Sequence, residues 1–153
     1  MIVNTSVSTN DIFNTCKTQT SYDFQALRSK NADVGNADYD YWVMMDFDSN
    51  NLYTVFQETA MSLYNALRQY IVSFSAGSDE IAAQLQVYHD RPNTESAMNL
   101  SMQSYYKNSV LAWWFAYREP ELSKVYAEKA LGSLDAIMNL CLPKTGTIKS
   151  RYF

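Results

Sequence analysis

Between Leu52 and Tyr70 the chain repeats apolar residues at three- and four-residue intervals, with no glycine or proline among them. Leu52, Val55, Phe56, Thr59, Ala60, Leu63, Ala66, Leu67 and Tyr70 thus share one face of a helix, and that face must be covered by a core. Asp48-Ser49-Asn50 stands just before it and offers capping oxygens for its first free N–H groups. This stripe is the strongest constraint in the sequence, and it sets a helical class for the fold.

Two more helices follow downstream. Thr94 is a good N-cap, with Glu95 in the first turn, for a helix whose inner stripe is Met98, Met102, Tyr105, Ala112, Trp113 and Ala116. Toward its end, from Val110 to Phe115, that helix is apolar on every side. Such a segment is either central in the core or covered by a neighbouring subunit. Glu119-Pro120-Glu121 stops it, and Pro120 suits the first turn of the next helix, carried by Leu122, Val125, Tyr126, Ala130, Leu134, Ile137, Met138 and Cys141. The tight turn makes these two helices an antiparallel pair.

The remaining segments are less regular. Ser8-Thr9-Asn10-Asp11 caps a short first helix through Ile12, Phe13 and Cys16, ending near Thr18. Gln19 to Asp40 reads as polar and irregular, with Tyr22, Phe24 and Leu27 as anchors, and Tyr39 to Phe47 as a strand or a packed loop. Ile71 to Phe74 is apolar, Ala76-Gly77-Ser78-Asp79 is a turn, and Leu85 and Val87 alternate with polar residues, which predicts a small hairpin near 71–90. Pro143 ends the last helix. The final stretch, Lys144 to Phe153, is basic, β-prone and closed by two aromatics. The expected fold is mainly α: a helical bundle of about four helices over 1–142 with a small β-hairpin, and an extended C-terminal tail over 143–153.

A chain of 153 residues has the size of a single domain and buries enough surface to need no disulfide or metal. With 47% hydrophobic and 18% charged residues it has globular composition. The net charge of −4 argues against a general nucleic-acid binder, which needs a basic face. The charge is uneven. No basic residue lies between Lys30 and Arg68, where Asp33, Asp38, Asp40, Asp46, Asp48 and Glu58 do, and no acid follows Asp135. These are either two solvated surfaces or complementary ends that attract another copy or partner. The 12 Tyr, 7 Phe and 3 Trp suit a core and equally a large protein interface.

Cys16 and Cys141 give neither a disulfide framework nor a metal spacing, and both read as buried thiols. The first residues lack the basic and apolar regions of a signal peptide, and Val110–Tyr117, the longest apolar run, is too short to span a bilayer. The expectation is a reducing compartment, with no secretion and no membrane partner.

Catalytic chemistry finds little footing. His89 is the one histidine, in a His-Asp-Arg-Pro turn, so histidine-rich metal sites are excluded and any nucleophile–base pair would need that ring. Asp46-Phe-Asp48-Ser-Asn50 resembles the start of a calcium loop, but Asn51 replaces the required glycine and Gln57 the final glutamate. The same residues serve as helix caps. The methionines Met44, Met45, Met98 and Met102 read as core filler. No catalytic, cofactor or metal residues are assigned, and the chain is expected not to be an enzyme. A ligand-binding or catalytic bundle built on Asp46, Asp48 and His89 would require a concave polar pocket.

The surfaces expected to bind are Trp113, Trp114 and Phe115 at the end of the third helix, and Lys144, Ile148, Lys149, Arg151, Tyr152 and Phe153 in the tail. An extended tail of this kind can add a strand to a neighbour's sheet.

The order and texture of the chain resemble those of a known family. A polar start (Thr9 to Thr20) precedes an Asp-rich lead into a long helix (Asp46 to Tyr70), then a hairpin-like middle (Ile71 to His89). A helix then runs from Tyr105-Tyr106 through Trp113-Trp114-Phe115 into Arg118-Glu-Pro-Glu-Leu-Ser-Lys-Val-Tyr126, and a final helix leads to Arg151-Tyr152-Phe153. In this it is similar to small neck proteins of tailed bacteriophages, the head-to-tail adaptor or connector ring proteins, those of crAss-like phages included. The resemblance covers most of the chain and rests on no diagnostic motif. It implies a virion protein made in the host cytoplasm, repeated around the portal axis, commonly as a twelve-fold ring. Its partners would be its own copies, the portal protein and other neck or tail proteins, with DNA passing through the channel without sequence-specific binding. The family has no catalytic residues to transfer. The alternative reading is a cytoplasmic helical module for protein–protein interaction or regulation.

Overall fold

The computed structural model describes residues 1–30, 39–88 and 92–142. His89 and every expected tail residue from Lys144 to Phe153 lie outside these. The expectation of a mainly helical bundle with a small β element holds. In chain order the elements are β1 (Ile2–Ser8), α1 (Thr9–Lys30), the short α2 (Tyr39–Trp42), a 3-10 turn (Asp46–Asp48) and α3 (Ser49–Leu67). A second 3-10 turn (Arg68–Tyr70), β2 (Ile71–Ala76), β3 (Glu80–Gln86), α4 (Thr94–Phe115) and α5 (Pro120–Cys141) complete the fold.

The expected hairpin is present as β2 and β3, but it belongs to a three-stranded antiparallel sheet of order β1-β3-β2. The added strand is the N-terminal segment. Val3, Thr5 and Val7 face inward while Ile2, Asn4 and Ser6 face out, the period-two signature of a half-buried strand. Thr5 faces the core without cost because its hydroxyl donates to the Ala83 carbonyl at 3.1 Å. β1 pairs with β3 from Ile2↔Gln86 to Ser8↔Glu80, so the paired residues are 84 apart in sequence at one end and 72 at the other.

The first helix is much longer than expected, running to Lys30 instead of Thr18. Ser8 caps it through a bond from the Asp11 N–H to its hydroxyl. Its buried face is Ile12, Phe13, Cys16, Thr20 and Phe24. Thr20 interrupts the apolar pattern, yet it is fully buried. Its hydroxyl donates to the Lys17 carbonyl and accepts the Met44 N–H at 3.0 Å. Tyr39 to Phe47, expected as a strand or packed loop, is the short α2 and the start of a 3-10 turn, held to α1 by that Thr20 bond.

α4 is the hub: it packs on α5, β1, α1 and α3. Of its all-round apolar end, Val110, Leu111, Trp114 and Phe115 are buried in the chain's own core, whereas Trp113 and Ala116, expected on the inner stripe, are exposed because the helix turns them away from it. α5 runs antiparallel to it: Ser123 bonds the Ala112 carbonyl while Ser133 bonds Ser104, so the pairing runs backward along α4. α4 begins at Thr94, one residue beyond an N-cap at Asn93, whose φ of 63° lies in the left-handed region that Asn tolerates better than most residues. The stripe of α3 is buried as expected, apart from half-buried Ala66 and Tyr70.

Candidate functional site

The end of α4 carries exposed aromatics, Trp113 and, just past the helix, Tyr117. The helix turns past Phe115, and the residues expected to form one apolar patch separate there. Trp114 and Phe115 are 2% and 0% exposed, so neither reaches the surface, contrary to the expected interface role; Trp113 is 42% exposed. Helical rotation of 100° per residue explains the split, since neighbours in sequence point in different directions. Trp114 is held by a bond from its indole N–H to the Trp42 carbonyl at 3.0 Å. Phe115 stacks on Tyr126 of α5, with ring centroids 5.9 Å apart and an interplanar angle of 14°.

The exposed aromatics here are instead Trp113, Tyr117 and Tyr41, of which Tyr41 lies against Arg118. Tyr117 is 92% exposed, four residues after Trp113, and Tyr41 is 46% exposed on α2. The Arg118 guanidinium lies 3.7 Å from the Trp114 ring centroid and 5.0 Å from that of Tyr41. It donates to the Trp114 carbonyl at 2.7 Å and, through Nε, to the Tyr41 carbonyl. One planar cation thus fastens α2 to the end of α4 and holds the Tyr41 and Trp114 rings against it, while Trp113 packs on Trp114 with ring centroids 6.3 Å apart. Burial lowers the Arg118 pKa, opposed by the Tyr41 phenol and Asp48, and a guanidinium remains charged across the physiological range. Tyr41, Tyr117 and Arg118 were missed as site residues in the sequence. For Tyr117 and Arg118 the signal was the composition after Phe115, an aromatic and an arginine directly past a helix end; for Tyr41 no local pattern pointed to it.

The acids considered for ligand chemistry are engaged structurally. Asp46 pairs with Lys17 at the surface, and the buried Asp48 accepts the Met45 N–H at 2.8 Å. Asp48 is the N-cap of α3, but its side chain bonds this preceding N–H and not the helix. An open groove of about 560 Å³ between α1 and residues 39–46 is lined by Lys17, Tyr22, Tyr39, Met45 and Asp46. Asp48 is not among its lining residues. Among the described residues, no three His, Cys, Asp or Glu side chains group as a metal site would need, and no helix is long and apolar enough to cross a membrane.

No family model, curated protein or solved structure matches the chain.

Proposed function

We propose that this chain is a structural assembly subunit, a neck adaptor of a tailed bacteriophage whose copies form a ring between portal and tail. The observation that supports this most is the exposure of Trp113, Tyr117 and Tyr41 around the Arg118 that ties α2 to the end of α4. Tryptophan, tyrosine and arginine are the residue types that dominate protein–protein binding energy, and Tyr41, already held beside Arg118, loses little entropy on docking. A second support is the uneven charge, acidic over residues 33–58 and basic after Asp135, which suits head-to-tail contact between copies. In the ring, DNA passes the channel without sequence-specific contacts, and portal, neck and tail proteins bind above and below.

Replacing Trp113 and Tyr117 together by alanine tests the surface. Both side chains point outward, so far-UV circular dichroism and Tm stay near those of the parent. Self-association, read by sedimentation, weakens by about 30-fold or more, the loss expected from one hot-spot residue of about 2 kcal/mol. Unchanged association would remove this surface from the interface.

A further inference from the structure

The two edges of the sheet are treated differently. At the β1 edge, the Ser6 N–H points to α4 and is bonded by the Asn99 side chain at 3.1 Å. At the β2 edge, among the described residues, no group outside the sheet bonds the backbone of residues 72–76. β2 reads Ile-Val-Ser-Phe-Ser-Ala, with neither the proline nor the charged side chain that usually guards an exposed edge. A bulge between Ile71 and Ser73 leaves Ser73–Ala76 as the regular stretch. Beside it lies an apolar groove lined by Met61, Tyr64, Ile71, Val72 and Phe74, with a volume of about 460 Å³. Met61 and Val72 are 51% and 53% exposed.

We propose that the outer edge of β2 at Ser73–Ala76 is a strand-docking site for residues 144–153 of a second copy of this chain. The occupant is argued from its sequence. Ile148, Ser150 and Tyr152 alternate with Lys149, Arg151 and Phe153. As an added strand, this segment turns Ile148 and Tyr152 onto the Met61–Tyr64 groove, and Lys149 and Arg151 to the polar outer face. That face carries Ser73, Ser75, Gln84 and, at the hairpin end, exposed Asp79 and Glu80. The segment has three cations and no acidic side chain, whereas the chain as a whole carries −4, so it is drawn to the body of another copy. Eleven residues beyond Leu142 extend to roughly 36 Å, and four paired residues need only about 13 Å, which leaves chain to cross between subunits. The inference rests on the reading of the chain as a self-assembling subunit and names where its copies join.

Hydrogen–deuterium exchange on the full chain, at concentrations spanning its assembly, tests it together with solution mass. In the oligomer, amides of residues 73–76 and of 147–152 slow together by about tenfold or more relative to dilute protein. The tail variant Ile148→Asp with Tyr152→Asp alters no residue of the described body. It returns the 73–76 amides to their dilute rates. An oligomer in which either segment exchanges as in dilute protein overturns the docking site and leaves the assembly reading standing. Protection of both segments in a monomer, independent of concentration, assigns the edge to the chain's own tail and overturns the second-copy occupant. A monomer with neither segment protected overturns both.

Discussion

Gly132 stands in the middle of α5, and a methyl group built on it meets nothing within 4 Å. Glycine there gives the helix backbone freedom to lose and no side chain to pack. Gly132→Ala therefore stabilises the fold by about 0.5–1 kcal/mol, read as a higher urea midpoint with unchanged m-value. A lower midpoint would mean that the groove with Leu100, Ser104 and Lys129 requires the missing Cβ. At this scale the sequence was uneven to read. The buried Thr20 and Thr5 look polar in a string of letters. Each enters the core only because a particular carbonyl lies within reach, Lys17 for one and Ala83 for the other. Arg118 was similarly opaque: its partners Tyr41 and Trp114 are joined by a tertiary contact that no local pattern encodes.

Among the elements, α3, α4 and α5 were legible from their apolar spacing and the proline at the start of α5, although the caps differ from those expected: Asp48 bonds the preceding Met45 N–H and not the helix, and the N-cap of α4 is Asn93 rather than Thr94. The second half of α1 was not, since after Cys16 its inner face is carried by Thr20 and Phe24 alone. β1 was missed although Val3, Thr5 and Val7 alternate, because a lone strand shows its worth only beside β3. The facing sides of α1, α4 and α5 also hold un-ionised groups. Burial raises Cys16 to about 12, with Lys107 partly opposing, and Cys141 to about 11. Burial likewise raises Tyr105, Tyr106 and Tyr126. For Tyr126 the hydrogen bond to Asp23 and its charge add to the rise. Every one of these shifts is upward, so the unfolded chain gives up its protons first, near 9.0 for thiols and 10.0 for phenols. The stability they contribute is fully present below about pH 9 and declines as pH rises through the folded values. Urea midpoints should be level between pH 7 and 8.5 and lower at pH 10.5; an unchanged midpoint at pH 10.5 would show these groups to be freely ionisable in the fold.

For the whole molecule, α4 packs against four other elements, and two surface features of different chemistry remain. One end presents Trp113, Tyr117 and Tyr41, and the free edge of the sheet lies along β2. In the proposed ring, two separate attachment points of different chemistry would let each copy hold two neighbours, the requirement for closure by heterologous contacts. Fold class and helix order were readable from patterning. The docking surface was not, because which of three consecutive aromatics turns outward depends on the rotation of α4 in its core. The central claim is that the chain assembles with itself. It is tested most directly by the solution mass of the purified protein over a wide concentration range, with and without Lys144 to Phe153. The account predicts a discrete high-order oligomer for the full chain and a folded monomer for the truncated one. A full chain that stays monomeric at every concentration would contradict it, and a truncated chain that assembles unchanged would contradict the tail's place in the contact.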